Sequence, residues 1–252
     1  MKTNNLISLY VKTLPTGAPI VYEVSENEEM FCIYKEIRIT SRVKELVEKL
    51  RNGHRVPYKS LSAEEKHQIG LCYWYGCIVP LNFKKAIKYY RASAEEKNVS
   101  AEWCLFVCYR DGTGVRANIT IAKEWLKKAA RHGNSRAQLT IARYYYEGKL
   151  FHRNRKSAKK WFARASENAF AVEDAEVLFC LGIQYCQGSY GMPVDTAKAI
   201  KYLKAAAERK DALAIRLLIQ VYLSLSDMEK VDYWKEDLKR CPYPVPAFLQ
   251  YK

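Results

Sequence analysis

No stretch of the 252-residue sequence approaches the roughly 20 apolar residues that a helix needs to cross a membrane. Near the start, the apolar run from Leu6 to Val11 is interrupted by Ser8 and is too short for the core of a signal peptide with its cleavage site. We therefore expect a cytoplasmic protein that does not associate with membranes.

Motifs that carry catalysis or hold a cofactor are also missing. The sequence contains no nucleophile–base pair, Gly-rich phosphate loop or carboxylate cluster, so we expect neither enzymatic activity nor a cofactor. The four histidines are scattered, the eight cysteines share no common spacing, and Cys-x-x-Cys does not occur. We expect reduced thiols that serve as small apolar residues. A zinc site is the alternative, because Cys104 and Cys108 are four residues apart and could share a helix face.

What the sequence does contain is an internal repeat. The motif apolar–small–x–x–Tyr–x–x–Gly occurs four times at steps of 36, 36 and 40 residues, with Phe106 at the small position of the second copy and the tyrosine at Tyr73, Tyr109, Tyr145 and Tyr185. A second motif keeps the same phase and pairs an alanine with an aromatic residue three positions later, at Ala86, Ala122, Ala158 and Ala199. Two landmarks with one period indicate an array of stacked structural units.

Each half of the repeat has the spacing of a helix. Ala86, Tyr89 and Tyr90, for example, lie on one helical face. The glycine that closes the first motif, such as Gly76, favours the left-handed conformation that ends many helices. A single helical hairpin cannot bury such a face alone, so neighbouring units must stack.

These residues resemble the Sel-one-like repeat (SLR) family, which is related to the tetratricopeptide repeats. The second copy carries the family pattern at Tyr109, Gly112, Gly114, Val115, Trp125, Ala129, Ala130 and Gly133, and the fourth at Leu181, Gly182, Tyr185, Gly188, Lys198, Ala199, Tyr202, Ala206 and Ala207. Three departures stand out: Ser93 replaces an alanine, Ala142 replaces a glycine, and the first loop lacks its second glycine. The resemblance implies an all-α fold, an α-solenoid of four to five helix-turn-helix repeats whose usual role is to bind other proteins.

We predict three regions in the chain. They are an N-terminal cap region (residues 1–60), four repeats (61–210), and a divergent fifth repeat with a Pro-rich C-terminal strap (211–252). In the fifth repeat Leu225 stands where the motif glycine is expected, and the tail after Cys241 alternates prolines and cannot be helical.

The cap region has two interpretations. Apolar spacing predicts two helices there, over about 27–39 and 41–51, the first with a capping box at Ser25 and Glu28. A β-hairpin that pairs residues 20–24 with 30–39 is the alternative, because β-branched residues are frequent in both segments.

The positive charge is concentrated in one part of the chain. The net charge is +15, and residues 133–170 contain nine basic and two acidic side chains. The densest run is the basic patch, which comprises Lys149, Arg153, Arg155, Lys156, Lys159 and Lys160. Such a patch favours an acidic partner surface and accelerates association. A solvated face without a partner is the alternative.

The resemblance also implies where a partner binds. In tetratricopeptide-like arrays the first helix of each pair lines the concave surface, and the motif tyrosine transfers that register to this chain. The predicted partner-binding residues are His67, Leu71, Trp74, Tyr75, Trp103, Arg110, Arg143, Tyr146, Phe179 and Arg216. Trp, Tyr and Arg dominate interface hot spots. For Phe179, packing between helices is the alternative.

Together these patterns predict a non-enzymatic scaffold that binds one defined acidic protein, as an immunity protein or a regulatory inhibitor, and is monomeric when free. The alternative is nucleic-acid binding through the third repeat. There Arg and Lys would contact phosphates, and Tyr144 to Tyr146 would stack on bases.

Overall fold

The computed structural model describes residues 6–13, 19–22, 34–172, 175–209 and 211–241. The chain packs into two compact units, residues 1–132 and 133–252. This division follows packing, and the three regions proposed from the sequence remain a prediction.

The first unit begins with a three-stranded antiparallel sheet. Its strands are β1 (Leu6–Thr13), β2 (Pro19–Tyr22) and β3 (Tyr34–Thr40), in the order β2-β1-β3. The predicted helix over 27–39 is therefore wrong from residue 34 onward, and its start with the capping box lies outside the described residues. The alternative hairpin is wrong in its pairing, because β1 lies between the two strands and pairs with both. Helix α1 (Ser41–Arg51) confirms the second predicted cap helix.

Two helical hairpins and a 3-10 turn at Tyr58–Ser60 complete this unit. The first hairpin is α2 (Ala63–Tyr75) with α3 (Phe83–Glu95), and the second is α4 (Val99–Asp111) with α5 (Ile119–Arg131). Helix α3 packs against both α2 and α4.

The second unit consists of three hairpins. They are α6 (Ser135–Glu147) with α7 (Arg155–Val172), α8 (Ala175–Gln187) with α9 (Thr196–Ala207), and α10 (Ala212–Ser224) with α11 (Met228–Lys239). One core contains residues from all three hairpins, including Phe162, Leu203 and Trp234. The predicted helix-turn-helix repeats are thus confirmed, and so is the divergent fifth hairpin. The predicted strap, residues 242–252, lies outside the described part of the chain.

A backbone hydrogen bond marks the register of every hairpin. The carbonyl of the motif tyrosine accepts from the N–H of the residue that caps the second helix. The pairs, at 2.8–3.0 Å, are Tyr73 with Asn82, Tyr109 with Asn118, Tyr145 with Asn154, Tyr185 with Asp195, and Tyr222 with Asp227. Each capping side chain in turn accepts from the N–H three residues on. The tyrosines therefore occupy equivalent places, as their spacing predicts.

The small residue of the motif allows the two helices of a hairpin to approach closely. A methyl group added at Gly70 would lie 2.5 Å from the ring of Tyr90, and one at Gly182 would lie 2.6 Å from Leu203. In the second repeat the same position holds Phe106, which is fully buried. The hairpins thus share one backbone plan and fill it with different side chains.

Candidate partner-binding surfaces

In the first unit, the predicted surface residues lie on α2 and α4. Leu71, Trp74, Tyr75 and Trp103 are half-buried and Arg110 is exposed. The Trp74 ring packs edge-on against Phe83, with 4.9 Å between ring centres, and it is fixed there by packing. These side chains offer partly exposed aromatic area on a rigid support, which is what an interface anchor requires.

Arg110 is neutralised by its neighbour. Its Nε lies 2.6 Å from Asp111 Oδ1, and a second guanidinium nitrogen donates to Oδ2 at 2.8 Å. The same guanidinium lies 5.2 Å from the centre of the Phe106 ring. The hydrogen bonds from Arg110 lower the pKa of Asp111. Among its predicted partner-binding residues, this unit therefore offers aromatic contacts more than uncompensated positive charge.

His67, which the register assigns to the surface, lies beneath it. The residue is 9% exposed, its Nε2 is 3.8 Å from Cys104 Sγ, and its Nδ1 is 3.8 Å from Glu64 Oε1. The position is buried because α4 lies alongside α3 and brings Cys104 over the imidazole, a contact between repeats that sequence spacing does not reveal.

In the second unit, the predicted residues are divided between surface and core. Arg143 is exposed, with its guanidinium 5.6 Å from the ring centre of Tyr144. Tyr146 and Phe179 are half-buried and pack against the core, Tyr146 edge-on to Tyr190 at 5.3 Å. Arg216 is half-buried on α10. Phe179 therefore packs partly against the core, as the alternative interpretation of this residue predicts.

The six side chains of the basic patch are all exposed. They occupy the loop after α6 and the first two turns of α7, where no acidic residue stands in the first turn. Lys149 pairs with Glu147 at 2.9 Å, and the other five form no ion pair with any described residue. Cations at the start of a helix face the positive end of its dipole, which is mildly unfavourable. Five of the six charges in the patch are thus uncompensated, and those at the start of α7 do not stabilise the helix.

Sequence reasoning missed a set of polar pairs, one in each of the first three repeats, in which the first member is buried. Each joins the seventh residue before the motif tyrosine to a residue 30 positions later, near the end of the second helix. The pairs are Lys66 with Glu96, Glu102 with His132, and Gln138 with Asn168. In the fourth repeat the first position holds Leu178, which is fully buried. The 36-residue register was a sufficient signal to align these positions, but their side chains share no residue type.

The described residues contain neither a candidate metal-binding cluster nor a candidate membrane-spanning helix. No group of three or more His, Cys, Asp or Glu there could hold a metal ion. Helices long and apolar enough to cross a membrane are likewise missing from this part of the chain.

The repeat register matches a known family model. The Sel1 repeat model matches residues 67–98, 100–134, 135–170 and 176–211, which together make up more than half of the chain. The chain belongs to the Sel1 repeat family. This is the Sel-one-like family that the motif residues resemble, and its fold is the predicted α-solenoid. Sel1 repeat proteins generally serve as non-enzymatic scaffolds for protein–protein interactions.

Solved structures of other Sel1 repeat proteins have the same fold. A Sel1 repeat protein from Oxalobacter formigenes is 26% identical with a TM-score of 0.58, and the match covers 78% of each chain. An immunity protein from Pseudomonas aeruginosa is 16% identical with a TM-score of 0.51, over 79% of this chain and 73% of that one. Among curated proteins, none matches the chain.

The turns show how this chain departs from the Sel1 repeat pattern. Gly114 follows the helix-ending glycine by two residues and has a φ of +72°. The equivalent residue of the first repeat is Ile78, with a φ of +67°, and that of the fourth is Tyr190, with a φ of +57°. At Leu150, in the third repeat, φ is not positive. The missing second glycine therefore leaves an isoleucine in a conformation that costs a β-branched residue energy.

Proposed function

We propose that this Sel1 repeat protein binds one acidic protein partner, with the basic patch at the start of α7 as its main electrostatic contact. The observation that carries the proposal is the set of five exposed cations without an ion pair among the described residues. An acidic partner surface would compensate their mutual repulsion and their unfavourable position at the helix start.

The aromatic and guanidinium groups of the first helices supply the second part of the proposal. Arg143 is exposed on α6, the helix that precedes the patch, and Trp74 and Trp103 are half-buried on α2 and α4. Charge would steer the encounter, and desolvated aromatic contacts would slow dissociation. We propose the two surfaces separately, one in each compact unit.

The role we propose is that of an immunity protein or regulatory inhibitor that occludes its partner. Support comes from the shared fold with the Pseudomonas aeruginosa immunity protein and from the general scaffold role of the family. We further propose that the protein is cytoplasmic and monomeric when free. Light scattering of the purified chain tests the second statement, and a stable dimer would contradict it.

The test uses the tagged full chain as bait in an extract of its native cells. The variant Lys156→Glu with Lys160→Glu reverses two charges of the patch. Lys84→Glu with Lys88→Glu is the matched control, because these exposed lysines stand at the equivalent positions of α3, two repeats earlier. We expect a captured acidic protein to be retained by wild type and control and to be lost from the patch variant. Equal capture by all three, or a basic partner, would contradict the proposal.

Nucleic-acid binding is the second candidate, and the aromatic residues of the third repeat argue against it. The Tyr145 ring stacks on Phe151 at 4.6 Å, and Tyr146 packs edge-on to Tyr190. Their rings are thus engaged within the protein instead of being offered to bases. Titration of a fluorescent single-stranded oligonucleotide at 50 and 200 mM salt is the test. Phosphate-driven binding would weaken steeply over this range.

A further inference from the structure

His67 and Cys104 form a pair that the proposed function does not use. The imidazole is on α2 and the thiol on α4, with 3.8 Å between Nε2 and Sγ. Cys104 is half-buried and therefore reachable by a small reagent, whereas His67 is 9% exposed. The other ring nitrogen, Nδ1, is buried without a hydrogen-bond partner and lies 3.8 Å from Glu64 Oε1.

Glu64 is held in place beside the imidazole. Its Oε1 accepts from the Gln68 amide at 3.0 Å and its Oε2 from the Asn98 amide, also at 3.0 Å. Contact with His67 is the main cause that lowers the pKa of Glu64, to about 2. Glu64, His67 and Cys104 therefore form a row in space, in the order carboxylate, imidazole and thiol.

The imidazole is the positively charged member of this row at neutral pH, beside the Glu64 carboxylate. Burial alone would lower the pKa of His67, but the contacts with Cys104 and Glu64 outweigh it and raise the pKa to about 9. The other titratable groups around the pair come from the helices packed there: Tyr75 from α2, Tyr90 from α3 and Cys108 from α4. An imidazolium beside a sulfur favours the thiolate, which is the reactive form of cysteine.

We propose that Cys104 is a reversible oxidation site, at which His67 activates the thiol toward small peroxides. The thiolate sulfur attacks one oxygen of hydrogen peroxide, and an S–O bond forms as the O–O bond breaks. The leaving hydroxide takes a proton from the His67 imidazolium and departs as water, so the thiol becomes a sulfenic acid. One low-molecular-weight thiol then gives a mixed disulfide and water, and a second restores the Cys104 thiol.

Four of the other cysteines lie in a different environment. Cys72, Cys77 and Cys108 are buried, and burial raises the pKa of each thiol, to about 12 for Cys77 and Cys108. Cys186 is half-buried like Cys104, and burial raises its pKa too. It therefore serves as an internal control of similar exposure in the same molecule.

The test is competitive labelling of the folded full chain with limiting iodoacetamide between pH 5.5 and 9.5, with peptide-level mass spectrometry. Burial raises the pKa of the Cys186 thiol, so this side chain is protonated at pH 7, and we expect Cys104, beside the imidazole, to react about tenfold faster there. Hydrogen peroxide followed by a sulfenic-acid probe should give the same ranking. Equal rates at Cys104 and Cys186 would overturn the proposal.

Two variants test the part played by the imidazole. His67→Gln should slow the reaction of Cys104 about tenfold at pH 7, while Cys186 is unchanged. Glu64→Gln should slow Cys104 by a smaller factor. If His67→Gln does not fold, the wild-type ranking and the Glu64→Gln rate decide. A Cys104 rate that neither variant lowers would overturn the part assigned to His67.

Discussion

The polar pair of Glu102 and His132 shows that a buried carboxylate requires a hydrogen-bond partner. Glu102 is 1% exposed, and His132 Nδ1 lies 2.9 Å from both of its carboxylate oxygens. The His132 side chain is 38% exposed, so only one member of the pair is removed from water. A buried carboxylate that loses its donor costs more than the pair contributes, and an apolar side chain at its place can be tolerated.

The two residues should therefore respond oppositely to substitution. His132→Ala leaves the carboxylate buried without its partner and should lower the free energy of unfolding by about 1–3 kcal/mol. Glu102→Leu copies Leu178 of the fourth repeat and should stay within about 1 kcal/mol of wild type. Urea unfolding followed by circular dichroism measures both. A larger loss from Glu102→Leu than from His132→Ala would contradict this account.

At the scale of an element, the turn between the two helices decides how well a hairpin closes. In the first repeat Ile78 takes the left-handed conformation that Gly114 takes in the second. A left-handed non-glycine residue costs roughly 1–2 kcal/mol, and the surrounding helices hold it in place.

Introducing glycine in this turn should separate the effect of backbone strain on stability from that of side-chain packing. Ile78→Gly relieves the backbone and should raise the free energy of unfolding by about 1 kcal/mol, since it gives up only a half-buried side chain. Leu150→Gly is the control at the equivalent position, where φ is not positive, and it should lower stability. Differential scanning calorimetry of the two variants gives the comparison. A destabilised Ile78→Gly would show that its packing outweighs its strain.

The N-terminal element shows where sequence reasoning fails. The helices of the first four repeats were predictable because each first helix ends in the tyrosine–glycine motif and each second helix carries the alanine–aromatic motif, at steps of 36 to 41 residues. Residues 34–40 have no such marks, and their apolar positions fit a short helix as well as a strand. Ile37 and Ile39 pair with Leu9 and Ile7 of the neighbouring strand, which are far away in sequence. Local spacing does not contain that information.

The candidate site was predictable to the same degree. The repeat register alone assigned first-helix residues to the predicted binding surface, and the basic patch follows from composition. The sequence could not show that Arg110 is paired with Asp111, or that Cys104 covers His67. Such contacts depend on side-chain rotamers and on neighbouring repeats. The polar pairs within the hairpins were missed because their side chains share no residue type from one repeat to the next.

At the scale of the whole molecule, the chain divides into two compact units, and the second unit has a core built from its own helices. The core of the second unit is built from α6 to α11 and holds residues from Ala142 to Trp234. Repeat arrays gain stability from neighbour contacts, so a unit that retains its neighbours should fold alone.

The fragment 133–252 should therefore be helical and should unfold in one cooperative transition. A fragment that ends after α8, residues 133–188, is the control, because it lacks Tyr202, Leu203 and Trp234 of the same core. We expect the shorter fragment to lose most of its helicity by far-UV circular dichroism. A longer fragment that melts without cooperativity would show that the second unit depends on the first.

The polar pairs also limit how such a gene can be rearranged. The first three hairpins each have a different polar contact between their two helices: ammonium–carboxylate, carboxylate–imidazole and amide–amide. Each first helix therefore carries the side chain that matches its own second helix. Exchange of the second helices between the first two hairpins would set Glu102 against Glu96 and Lys66 against His132. Duplication of an intact hairpin keeps every polar pair matched, whereas exchange of helices between two hairpins breaks two polar pairs at once. The chain can grow or shrink by whole repeats more readily than by halves.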